Sequence, residues 1–255
     1  MVIRRIREHV TAHNWFAVVI DVAIVVVGVF LGTQANNWNQ DRIDRADAAE
    51  YRQQIIGNIK VNEEDIAARI VYYGQVRRHA LAALRALQQR DVKLGEPFLI
   101  DAYQASQAWL RGFERTAYDE MVATGVARNV GDSATRAALS GYYVGGRGFD
   151  VLALSSTAYR DRLRRIMDLD VQERIRARCN DVMRDLPSGG LSATLPETCA
   201  PGLDPAFAAR AAKKLQSAPE LEEDLTRSIG DIDQKMSMFN RTLRAARAMR
   251  AKLEG

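Results

Sequence analysis

The sequence predicts an all-α protein in which a single N-terminal transmembrane helix continues into a long stalk helix and an extracytoplasmic helical bundle. Three features carry that prediction. Residues 15–38 read WFAVVIDVAIVVVGVFLGTQANNW, apolar from Phe16 to Leu31 apart from Asp21 and with Gly28 as the only gap. From Asp41 to about Ile70 there is no Pro and a single Gly, Gly57, so little interrupts a helix there. The chain of 255 residues has 17 Gly and only 6 Pro, which disfavours a turn-rich sandwich or long disordered linkers.

The span comes first. A short Val/Ile-rich run would suit a buried strand, but Trp15 to Trp38 is too long: at about 1.5 Å per residue a helix of this length covers the ~30 Å hydrocarbon core and its margins. Trp15 and Trp38 would then sit at the two interfaces, where amphipathic rings collect. Arg4, Arg5 and Arg7 precede the span, opposed only by Glu8. Beyond it, Asp41, Asp44, Asp47 and Glu50 outweigh Arg42 and Arg45. That asymmetry predicts a single-pass protein of the bacterial inner membrane with residues 1–14 in the cytoplasm and the bulk in the periplasm. The rival is a cleaved signal peptide with its cut near Thr33-Gln34-Ala35. Asp21, the length of the segment and a helical pattern running through the cut weigh against it.

Within the span, Asp21, Val25, Gly28, Gly32 and Ala35 follow 4-3-4-3 spacing and share one face. Gly28 and Gly32 form a GxxxG pair, which lets two helix backbones approach closely. An ionisable Asp21 on that stripe points to a pairing role, with a homodimer or another membrane protein as partner. A proton path is disfavoured, since one span has no second wall. The amides Gln34, Asn36, Asn37, Asn39 and Gln40 form a polar collar, for which simple hydration competes with bonding across a helix pair.

Residues 28–40, GVFLGTQANNWNQ, also resemble the N-terminal signature of a family of uncharacterised single-span bacterial membrane proteins, known as a domain of unknown function. The resemblance lies in the order Gln34, Asn37, Trp38, Asn39. Gln40 stands where Glu is usual, and Thr33 where a larger apolar residue is usual. A weaker likeness covers Thr116-Ala117-Tyr118-Asp119-Glu120-Met121 to Gly125, followed by Tyr142-Tyr143, with Ala117 in place of a Thr. The resemblance implies the single-span topology and no particular activity, so it brings no catalytic residues.

The remaining chain divides into a stalk with the first bundle helices, 39–90, and the rest of the bundle, 91–255. Ala48, Tyr51, Ile55, Ile59, Ile66 and Ile70 make an apolar stripe on the stalk, with Asn62 as a register-setting polar position facing a partner helix. Tyr72-Tyr73-Gly74 predicts a bend, and Val76 to Gln89 a second run carrying Ala80, Leu84 and Leu87. Val92 to Pro97 is the first loop. Ile100 to Phe113 reads as a short helix with Trp109 in the core or at its rim. Thr116 with Asp119 reads as a capping box for a helix ending near Thr124-Gly125. Asp132-Ser133 opens another helix through Tyr143. Gly145-Gly146-Arg147-Gly148 lacks the strand and the Lys-Ser/Thr ending of a phosphate loop and reads as a helix–helix turn. A long helix is predicted from Asp150 to about Asp185, then an irregular loop at about 186–205.

Cys179 and Cys199 bracket that loop, and in an oxidising compartment they would form a disulfide. Two thiols without converging histidines do not make a structural zinc site. Pro205 to Leu215 reads as a short helix. Ser217-Ala218-Pro219-Glu220 reads as a start signal for a helix to Leu253, whose stripe is Leu225, Ile229, Ile232, Met236, Phe239, Leu243 and Ala246. This helix should lie antiparallel to the stalk. Arg241, Arg244, Arg247 and Arg250 at its end suit the helix dipole, with membrane lipid or a partner as possible contacts.

Composition narrows the function classes. The 36 basic and 32 acidic residues are interspersed, so the net charge of +4 does not form the concentrated patch that a nucleic-acid partner requires. Three histidines, no nucleophile motif and no clustered metal ligands argue against an enzyme, and no cofactor is expected. The reading that remains is a membrane-anchored scaffold or protein-interaction module. The alternative is a ligand-sensing bundle, with a small molecule beside Trp109 or Tyr118, acting through a separate membrane partner.

Overall fold

The structure, a computed structural model, describes residues 15–89 and 91–255. The proposed cytoplasmic segment 1–14, with Arg4, Arg5 and Arg7, lies outside the described residues. The class is all-α. One helix, α1 (Trp15–Gln88), runs for 74 residues, about 110 Å at ~1.5 Å per residue. The other helices are α2 (Glu96–Ala105), α3 (Thr116–Thr124), α4 (Ser133–Ala153), α5 (Ala158–Ile166), α6 (Leu169–Arg178), α7 (Pro205–Gln216) and α8 (Leu221–Glu254). A 3₁₀ turn (Val126–Asn129) follows α3, and two short strands, β1 (Val182–Asp185) and β2 (Leu191–Thr194), form an antiparallel hairpin.

The predicted bend at Tyr72–Gly74 is absent: helical bonding continues to Gln88, and Tyr72 and Tyr73 are core residues rather than a break. Packing explains the continuity. Among the buried positions on α1, Ile55, Ile59, Asn62, Ile66, Arg69, Tyr73, Val76, Ala80, Ala83 and Leu87 form an unbroken alternation of four and three. Antiparallel to it, α8 presents Leu225, Ser228, Ile232, Lys235 and Phe239 in the same rhythm. Arg77 pairs with Asp233, Arg250 with Glu63, and Arg52 Nε donates to the Leu253 carbonyl, which fixes the direction of α8.

Two apolar clusters stack along this pair. One, around Ile55, Ile59 and Ile66, takes in Trp109, Phe113, α4 and the end of α8. The other, around Ala80 and Leu87, takes in α2, α5, α6, α7 and the start of α8.

Several local expectations are corrected. The glycines at 145–148 lie inside α4, where Gly146 lets Phe113 approach so closely that a Cβ would stand 2.6 Å from its ring. The helix foreseen from Asp150 to Asp185 is cut into α5, α6 and β1. Thr157 caps α5 by accepting from the Arg160 amide, and Gln172 donates to the carbonyls of Arg164 and Met167 that α5 leaves open. Helix α2 stops at Ala105, so Trp109 and Phe113 lie on extended chain. Arg115, not Thr116, precedes α3, and Asp119 pairs with Arg115 instead of closing a capping box. Ser217 closes α7, donating to the Lys213 carbonyl, and α8 begins only after Glu220, whose φ is +62°. Part of the irregular loop is the hairpin, turned by Gly189 in the left-handed region.

Candidate interaction surface and buried polar sites

Along α1, every residue from Val22 to Ile43 is exposed, and burial begins only at Ala48. Here lies one helix stretch long and apolar enough to cross a membrane, with a mean hydropathy of 2.2 and none of that window buried. Trp15 and Trp38, at its two ends, are each 67% exposed. Val25, Gly28, Gly32 and Ala35 share an exposed face, and Asp21 on the same line is half-buried. A Cβ added at Gly28 or Gly32 would meet nothing within 4 Å. The chain itself therefore gives no packing reason for either glycine. Gln34, Asn37, Trp38 and Asn39 follow directly on the exposed helix, and Thr33 donates to the Phe30 carbonyl.

The basic run of α8 is placed elsewhere. Arg241, Arg244 and Arg247 are exposed, while Arg250 donates to Glu63 at 2.6 Å and also pairs with Glu254. Glu63 lies 25 residues beyond Trp38, about 37 Å along the helix at ~1.5 Å per residue. An upright α1 thus holds this run well away from the Trp38 level.

The extended chain between α2 and α3 is held by amides of α1. Asn62 donates to the Glu114 carbonyl at 2.8 Å and accepts from the Glu114 amide at 2.8 Å, and Asn58 accepts from the Ala117 amide. Asn62 therefore reads backbone on a crossing segment, and it also donates to the Tyr142 hydroxyl of α4 at 3.3 Å. Gln75 treats Leu195, next to the hairpin, in the same two-handed way.

Two buried cations sit on the stripes of the long helices, and neither was singled out from the sequence. Arg69 is 0% exposed. It pairs with Asp65 at 3.0 Å, donates to the Arg111 carbonyl at 2.6 Å, and lies 5.2 Å from the rings of both Trp109 and Phe149. Its spacing was a usable signal: Arg69 follows Ile66 by three, precedes Tyr73 by four, and has Asp65 one turn before it. On α8 the buried positions are Ser228 and Lys235, where the apolar reading chose their neighbours Ile229 and Met236. Lys235 is 3% exposed and donates only to the Ser155 carbonyl, at 3.3 Å, with the Tyr73 ring 5.6 Å away. Burial pushes its pKa down.

Aromatic groups complete the interior. Trp109 packs edge-on against Tyr72, and Tyr118 stacks on Tyr143 at 4.1 Å between ring centres. Tyr72 donates to Asp181, whose carboxyl burial raises above its ordinary range against the opposing pull of that hydrogen bond and of Arg160 and Arg164. Cys179 and Cys199 are joined in a disulfide, with Cα atoms 5.3 Å apart. Among the described residues no group of three or more His, Cys, Asp or Glu is placed to hold a metal ion.

The chain matches no family model, no curated protein and no solved structure.

Proposed function

We propose that this is a membrane-anchored helical scaffold or protein-interaction module of the bacterial inner membrane, with a cytoplasmic N-terminus and a periplasmic bundle. The observation that carries the reading is the division of α1. Its N-terminal part carries an apolar run that is exposed from Val22 onward, and from Ala48 onward it is the central helix of the bundle. Exposing so much apolar surface to water is untenable for a soluble monomer, so lipid or another helix must cover it. The Cys179–Cys199 disulfide suits an oxidising compartment such as the periplasm. Gly28 and Gly32, open on that half, are the contact through which the span meets a second copy or another membrane protein.

The test is in-cell crosslinking followed by pull-down from detergent extracts, comparing wild type with Gly28→Leu/Gly32→Leu. A discrete dimer or partner band in wild type, lost in the double variant at equal expression, is the expected result. An identical pattern in both, or no specific species in either, would reduce the span to a tether.

A further inference from the structure

Where the two apolar clusters meet, the bundle contains a polar seam. Tyr73 from α1, Ser106 and Gln107 from the chain after α2, Thr157 and Arg160 at the start of α5, and Lys235 from α8 line one cavity of about 20 Å³. That is room for one water molecule or one ion of similar size. Two cations face it. Lys235 carries three N–H donors and uses one, on the Ser155 carbonyl. The Arg160 guanidinium donates to the Ser106 carbonyl. Neither has a carboxylate within 4 Å among the described residues.

The surrounding charges leave an excess. Asp231 lines the cavity from the same helix as Lys235, and Asp181 lies within electrostatic reach of Arg160 and Arg164. Among the residues that line the cavity, two cations, Lys235 and Arg160, stand against one carboxylate, Asp231, which leaves one positive charge unmatched. Lys235 could shed its own charge, and its depressed pKa eases that step. Of the two only Lys235 is buried, and a buried cation with no carboxylate in contact is expensive; here its spare N–H donors and the cavity coincide.

We propose that the seam binds one small monovalent anion of halide size, chloride in the cell, held between Lys235 and Arg160. Bound there, it supplies the one missing negative charge and ties α8 to the start of α5 at the junction of the two clusters. The site is independent of the function proposed for the span.

The test uses the purified full chain in detergent. Thermal unfolding is followed in chloride, bromide or gluconate at fixed ionic strength. Wild type should gain about 3–5 °C for each tenfold rise in chloride or bromide once the site is filling, with no gain in gluconate. Lys235→Met should lose that dependence. Equal responses to gluconate and chloride, or a halide response kept in Lys235→Met, would overturn the proposal. Should Lys235→Met fail to fold, crystals of wild type grown in bromide decide the matter. An anomalous peak between Lys235 and Arg160 supports the site, and a water there with no anomalous signal refutes it.

Discussion

Arg69 shows what a single residue can decide in this protein. Its guanidinium is fully buried, and Asp65 is the carboxylate that matches it. Breaking a buried pair from one side strands a charge, which costs about 3–5 kcal/mol, whereas replacing both partners with neutral groups is far milder. Asp65→Asn should therefore destabilise the full chain by about that amount in denaturant titrations. Asp65→Asn/Arg69→Met should cost less than Asp65→Asn alone. Asp181 supplies a pH signature. Its folded pKa is raised by burial, so between the ordinary carboxylate pKa and the folded value the native state holds a proton that the unfolded chain has lost. Stability must fall as pH rises through that window. Asp181→Asn lacks the titration, so its Tm relative to wild type should improve between pH 4 and pH 7. In the sequence Arg69 was legible only through its spacing, and Asp181, between α6 and β1, carried no such signal. Hydrophobic periodicity scores a charged side chain on a buried stripe as an error, and it finds such a residue only when spacing is trusted over side-chain type.

At the scale of elements, the long helices were readable and the short ones were not. The stalk stripe from Ala48 to Ile66 and the α8 stripe through Leu225, Ile232 and Phe239 are long enough for the period to show. The glycines at 145–148 misled for a physical reason. In isolation such a run favours a turn, yet α4 keeps them helical because Phe113, distant in sequence, needs the space at Gly146. The neighbours behave differently and allow a paired test. Gly146→Ala should destabilise by about 1–3 kcal/mol through overpacking against Phe113. Gly145→Ala, which meets nothing within 4 Å, should stabilise by about 0.5–1 kcal/mol. Equal effects of the two in thermal melts would contradict the packing described. The hairpin and the break after α5 were hidden similarly, since both depend on polar contacts made by Glu64, Gln75 and Gln172 from elsewhere in the chain.

The whole molecule joins an exposed apolar helix to a bundle closed by one covalent link. The disulfide spans 20 residues and holds the end of α6 to the segment before α7. Reduction, or Cys179→Ser/Cys199→Ser, should lower stability by about 3 kcal/mol in chemical unfolding. Insensitivity to reductant would mean that the link constrains little. The candidate surface was legible from the sequence because a GxxxG pair in an apolar run needs no tertiary information. The seam around Lys235 was not, because its residues come from four separate stretches of chain. The unbroken course of α1 has one more effect. A continuous helix at 3.6 residues per turn fixes rotational bearing along its whole length. On that count Gly28 and Gly32 point about 160° away from the line of Ile55, Ile59, Ile66 and Arg69 that faces the core. Ala35, Asn39, Ala46, Glu50, Gln53 and Gly57 continue the glycine bearing, all exposed, until the hairpin covers it where Ser188 meets Glu64. Two copies meeting through the glycines, as proposed, would therefore stand back to back, bundles turned outward and hairpins facing each other across the axis.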